Sequence, residues 1–171
     1  MDTSVFLSVF ARETDPAGRL EPSLWVLEAA QAGQHELVIA ASVIAEIGGA
    51  PVMRPPAKAD AARRAASIAR FEQWVTDNRF LVVDVDQRLA TQAARLGQQH
   101  QLSGGDACVL AAGLATRCST LYTWDKDLLK LNVLGALHCQ RPQMLTAVQG
   151  ELFSPRETSE GAPRPDGSEG Q

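Results

Sequence analysis

Short apolar runs rich in Val, Ile and Leu alternate along this chain with longer amphipathic stretches, and that alternation predicts an α/β sandwich on a mostly parallel sheet. Two further observations support this. The chain has 171 residues, 45% of them hydrophobic, which suits one ordinary domain with a sizeable core. No internal repeat is evident.

Taken in order, the segment VFLSVFA near the start is apolar, but it lacks the basic flank of a secretory signal and is far too short to span a bilayer. Leu24 and Leu27 mark an amphipathic helix ending near Gly33. ELVIA (36–40), FLVVDV (80–85) and TLYTW (120–124) read as buried strands, with a shorter one near LHCQ (137–140). After Pro55 and Pro56, Ile68, Phe71 and Val75 recur at i, i+3 and i+7 and give a helix a core-facing stripe. Arg63 and Arg70 lie off that stripe, whereas Arg64 falls four residues before Ile68 and points with the apolar face. It therefore lies beyond the core at the helix's open end or meets an acid. Leu89, Ala93 and Leu96 share one face of a further helix.

From Ser154 onward the chain has Ala162 as its only aliphatic residue, too little to offset the entropy of ordering. The expected organisation is a domain over 1–153 and a disordered tail over 154–171. The tail carries four acids and two bases, hence two of the four net negative charges. A generally basic surface is excluded, so any nucleic acid must be held by a local patch and by metal ions. One candidate patch exists: Arg54, Lys58, Arg63, Arg64 and Arg70 are opposed only by Asp60. It reads equally well as a solvated helix face. Cys108, Cys118 and Cys139 are odd in number and widely spaced, which suits a reducing, cytoplasmic setting.

Four segments each deliver a carboxylate beside a small or hydroxylated residue: Asp2-Thr3-Ser4, Ser42 with Glu46, Asp106 in SGGDA, and Thr123-x-Asp125. In open α/β sheets ligands bind outside the carboxyl ends of the strands, and all four acids can reach that edge. Crowded carboxylates raise one another's pKa unless cations are bound. Hard divalent ions with oxygen ligands relieve the repulsion, and two of them can clamp a phosphodiester. His35, His100 and His138 are scattered and no Cys/His spacing suits zinc.

In order and rough separation these four segments resemble the PIN-domain ribonucleases, from residue 2 to about residue 150, and the compact length is similar to the VapC-like toxins of toxin–antitoxin pairs. The resemblance implies a three-layer α/β/α fold and a magnesium- or manganese-dependent endoribonuclease, with Asp2, Glu46, Asp106 and Asp125 holding the metal. Thr3, Ser42 and Thr123 would support them, and Arg63 and Arg70 would contact RNA. It also implies a cognate antitoxin that plugs the site, and a homodimer. One departure is plain: only Met1 precedes Asp2, where the family has a buried apolar strand. The first strand therefore reads as truncated, either because the true start lies upstream or because the fold lacks its middle strand.

Plainer explanations stand beside each piece. Ser103-x-x-Asp106 is also a helix capping box, Asp2 a terminal residue, Glu46 a solvated helix acid and Asp125 a turn residue. Ser42 and Thr123 could bond local backbone, and Asp127 could back up Asp125 or sit in a surface turn. Asp84-x-Asp86 after FLVVDV resembles the nucleophile motif of haloacid-dehalogenase-type phosphatases, but Arg88 stands where Thr or Val is usual and half the chain precedes it. A PIN-like module that binds RNA or protein without cleaving it is the rival to the enzyme.

Overall fold

The computed structural model describes residues 1–11, 18–53, 61–78 and 80–144, without the side chains of 61, 63 and 64. The expected tail and positions 54–60 of the basic stretch lie outside the described residues. In chain order the elements are α1 (Thr3–Phe10), α2 (Leu20–Gln31), β1 (Val38–Ala40), α3 (Ala41–Gly49), α4 (Ala61–Asp77) and β2 (Leu81–Val83). Then come α5 (Gln87–His100), α6 (Gly104–Ala115), β3 (Thr120–Tyr122), α7 (Lys126–Leu131), β4 (Val133–Leu134) and β5 (Leu137–Gln140). All four expected strands are present, the first three shorter than their apolar runs.

Among the described residues the strands form two sheets. β1 pairs with β2 in parallel, and β5 lies between β3, its parallel partner, and β4, its antiparallel one. What joins the sheets is the start of the chain. The Met1 ammonium donates to the Val38 carbonyl at 2.8 Å, and the Asp2 amide donates to the Tyr122 carbonyl at 3.1 Å. Successive backbone N–H groups turned to opposite sides are the pattern of a strand with neighbours on both sides. Residues 1 and 2 thus occupy the top of a central position between β1 and β3.

Helices cover these sheets. α5 starts where Asp86 accepts from the Leu89 amide at 2.7 Å and ends at Gln101 in the left-handed region. The chain then turns at once into α6, which packs along α5 and against β1 and β3. Close approach is possible because Gly97 has no side chain; a methyl there would sit 3.4 Å from the Ala107 Cβ. α1 was not foreseen. Its VFLSVF segment buries Val5, Phe6 and Phe10, and Phe6 and Phe10 meet Phe71 edge-to-face at centroid distances of 5.6 and 5.3 Å. Trp74 joins the cluster through Phe6 and Phe80. Contacts of this kind contribute about 0.5–1.5 kcal/mol each beyond burial, and they fix α1, with Asp2 at its start, against α4.

The α4 stripe is as expected, with Phe71 buried and Ile68 and Val75 packed against the core. FLVVDV is a correction: Leu81 is 44% exposed and Val82 37%. It is not a buried strand, because among the described residues β2 pairs with β1 alone and forms an edge. Among the described residues no helix is long and apolar enough to cross a membrane.

Candidate active site

Asp2 is 3% exposed and serves as N-cap of α1. Its Oδ2 accepts from the Ser4 hydroxyl at 2.5 Å, from the Ser4 amide at 3.4 Å and from the Thr123 hydroxyl at 2.7 Å. Burying a carboxylate is costly unless hydrogen bonds replace water, and these donors replace it. Thr123 is fully buried and does double duty, since its Oγ1 also accepts from the Asp125 amide at 2.9 Å. Ser4 likewise receives the Trp124 amide on its hydroxyl oxygen at 2.9 Å. The segment after β3 is thereby tied to the start of the chain.

Asp125 caps α7, with Oδ1 accepting from the Asp127 amide at 2.7 Å and the Leu128 amide at 3.0 Å. Asp127 is turned away into an exposed ion pair with Lys130 at 2.6 Å. Asp86, singled out in the phosphatase-like motif, carries the α5 cap.

Glu46 lies one turn into α3, and its Oε2 accepts from the Thr3 hydroxyl at 2.5 Å across 43 residues of sequence. Its other oxygen lies against Gly105 in the first turn of α6, where an added methyl would collide with Oε1. That glycine, missed in the sequence, gives the Glu46 carboxylate room beside Asp106; the tandem glycine of SGGDA was the available signal. Asp106 and Ser103 do form the capping arrangement, the Asp106 amide donating to Ser103 Oγ at 3.2 Å. The Ser103 hydroxyl in turn donates to Asp106 Oδ2 at 2.6 Å, so capping also orients the acid. Ser42 Oγ is buried with no hydrogen-bond partner among the described residues.

Asp106 senses the other acids. Burial pushes the Asp106 carboxyl above the ordinary carboxylate range, the Ser103 hydroxyl pulls it back, and the charges of Asp125, Asp2 and Glu46 push it up again. Cys108 is raised by burial and by Glu46. Even so, among the described residues no three His, Cys, Asp or Glu side chains are gathered closely enough to hold one ion as they stand. Each acid is held by hydrogen-bond donors close in space instead. Those donors engage a single oxygen of each: Oδ2 of Asp2, Oε2 of Glu46, Oδ2 of Asp106 and Oδ1 of Asp125. Among the described residues the second oxygen of each accepts no hydrogen bond.

Of the residues expected to contact RNA, Arg70 is exposed and donates to Ser67 Oγ at 3.1 Å. The Arg63 and Arg64 side chains lie outside the described residues.

Fold and site together define an α/β/α domain whose strand ends and helix starts converge on four acids. The PIN domain family model matches residues 1–134, and the chain belongs to that family. PIN domains are generally nuclease domains and typically bind divalent metal ions. No curated protein and no solved structure matches the chain.

Proposed function

We propose that this protein is a magnesium- or manganese-dependent endoribonuclease and the VapC-like toxin of a toxin–antitoxin pair, with Asp2, Glu46, Asp106 and Asp125 as its metal ligands. The observation that carries the reading is the shared state of the four acids, each anchored through one oxygen by a hydroxyl or amide and each with a second oxygen to offer. Hard divalent ions take such oxygens, and the raised Asp106 carboxyl marks a place where added positive charge lowers the energy. The unpartnered Ser42 hydroxyl is a further oxygen beside Glu46 on α3.

When bound, a divalent ion supplies positive charge against the scissile phosphate and acidifies water. The chain's own residues supply position. Thr3 sets the reach of Glu46, Ser103 orients Asp106, and Thr123 with Ser4 fixes Asp2. Arg63 and Arg70 would hold the RNA backbone, and a homodimer with a cognate antitoxin plugging the site completes the assignment. The purified protein should cleave RNA with magnesium or manganese and stop when a chelator is added. Cleavage that persists in chelator overturns the metal assignment, and no cleavage with either ion overturns the enzyme.

One observation favours the rival, a PIN-like module that binds RNA or protein without cutting it: bringing three acids onto one ion requires side-chain movement. Calorimetric manganese titration run beside the cleavage assay separates the two. The enzyme takes up manganese and cuts; the inactive module does not cut.

A further inference from the structure

Trp124 stands inside the Thr123-x-Asp125 motif, yet its side chain holds none of the acids. Its amide donates at 2.9 Å to Ser4 Oγ, the same hydroxyl that donates to Asp2 Oδ2. Its indole N–H donates at 2.9 Å to the hydroxyl of Ser23, which is fully buried in α2. Backbone and ring are therefore both fixed. One helical turn before Ser23, and so on the same side of the helix start, Arg19 sets its guanidinium carbon over the Trp124 ring, 5.4 Å from the centroid. Contacts thus run unbroken from the Asp2 carboxylate through Ser4 to Trp124, and from the Trp124 ring to Arg19. The guanidinium is otherwise uncommitted: among the described residues it forms no ion pair and no hydrogen bond. Only its Nε is buried without a partner, so the two terminal nitrogens of this half-buried residue face solvent.

We infer that Arg19, held over Trp124, binds a backbone phosphate of the RNA strand next to the one attacked at the acid cluster. The inference rests on the endoribonuclease reading above. Three features define the ligand. The planar fork of a guanidinium matches the oxygens of a phosphate, and its terminal N–H donors are the ones left open. Stacking on a ring that is itself tied down at two points holds the charge in place, so little freedom is lost when an anion arrives. Four carboxylates repel a polyanion, and an uncompensated positive charge on their flank offsets that repulsion where the strand leaves the cluster. Because Trp124 links Arg19 to the Ser4 and Asp2 end of the site, the phosphate it takes is a neighbour of the scissile one.

The test is single-turnover cleavage, in magnesium, of a labelled single-stranded RNA at rising concentrations of the full chain. In Arg19→Gln the half-saturating concentration should rise about tenfold with the maximal rate unchanged, as befits a contact made equally before and during the reaction. The log–log salt dependence of that concentration should flatten by about 0.7, one contact on a single strand. Arg19→Met, which keeps an apolar stem against the ring, should behave the same way, so the result does not hinge on the folding of one variant; thermal melts check both. Replacing the RNA phosphates one at a time with neutral methylphosphonates locates the partner. One linkage beside the cleaved bond should cost the parent about tenfold and cost Arg19→Gln nothing further, a coupling that a merely structural arginine would not show. An unmoved half-saturating concentration or salt slope, or losses that add at every linkage, overturns the inference alone and assigns Arg19 to the fold or to an acidic protein partner. A parent that cuts no RNA overturns the endoribonuclease reading and this inference together.

Discussion

Gly105→Ala isolates the contact between α3 and α6 on which the acid cluster rests. The new methyl would collide with Glu46 Oε1 and crowd its Cδ at 2.9 Å. The obstacle is the far end of a flexible side chain, so Glu46 swings aside and the backbone stays. Swinging aside breaks its hydrogen bond from Thr3. A hydrogen bond to a charged group is worth about 1.5–3 kcal/mol, and if Glu46 acts in the transition state the same energy lost there slows cleavage by roughly 10- to 150-fold. Stability falls by less than that, since replacing a helical glycine gains about 0.5–1 kcal/mol and offsets part of the loss. The neighbouring Gly104→Ala is the internal control, because nothing lies within 4 Å of its added methyl. The assay is single-turnover cleavage of a labelled RNA, with thermal melts of both variants. Gly104→Ala should keep its activity and melt no lower than the parent. Wild-type activity in Gly105→Ala, or equal losses in the two variants, would refute the argument.

Four other outcomes are expected. Asp106→Asn should retain the fold while cleavage drops at least about a hundredfold, some 2.7 kcal/mol of transition-state stabilisation; a fully active variant sinks the assignment. The raised Asp106 carboxyl also gives a signed pH dependence. Between its unfolded value of 3.8 and its higher folded value the native state holds the extra proton, so the contribution of Asp106 is greatest below 3.8 and is lost as pH rises through the folded value. In chelator, Tm of the parent minus Tm of Asp106→Asn should therefore fall across that window, and magnesium should reverse the fall; a flat difference contradicts the cause given. A chain extended by about four apolar residues ahead of Met1 should melt higher, since the added strand pairs on both sides, and an unchanged or lower Tm would count against the reading of the first strand as truncated. Replacing Arg63 and Arg70 with Gln should flatten the log–log salt dependence of non-cleavable RNA binding by up to two contacts of about 0.7 each; an unmoved slope assigns those arginines to the surface or to a protein partner.

Strand positions were legible because each is signalled locally by an apolar run, and the four acids were singled out because each stands beside a small or hydroxylated residue. Partnerships were not. Thr3 with Glu46 and Thr123 with Asp2 join residues 43 and 121 apart, separations that no helical or strand period reports. Ser4 stood in the motif, but its role as donor to Asp2 depends on the turn into α1, and that helix was hidden in a segment weighed only as a leader or a membrane span. Asp2 gave the clue, being followed by the Thr and Ser of a capped helix start. FLVVDV misled for a related reason: apolar composition reports a tendency to be covered, whereas coverage is decided by which strand ends up outermost.

The bond from Thr123 to Asp2 closes a loop of 121 residues, and that has a consequence for when the protein becomes competent. Closing such a loop costs roughly 4 kcal/mol of chain entropy, and no contact inside the first hundred residues can stand in for it. During synthesis the amino-terminal helices can begin to pack early, while Asp2 still lacks the hydroxyl and the carbonyl that hold it. Its setting is completed only when Tyr122 and Thr123 arrive. The setting of Asp2 therefore depends on residues more than a hundred positions downstream of it.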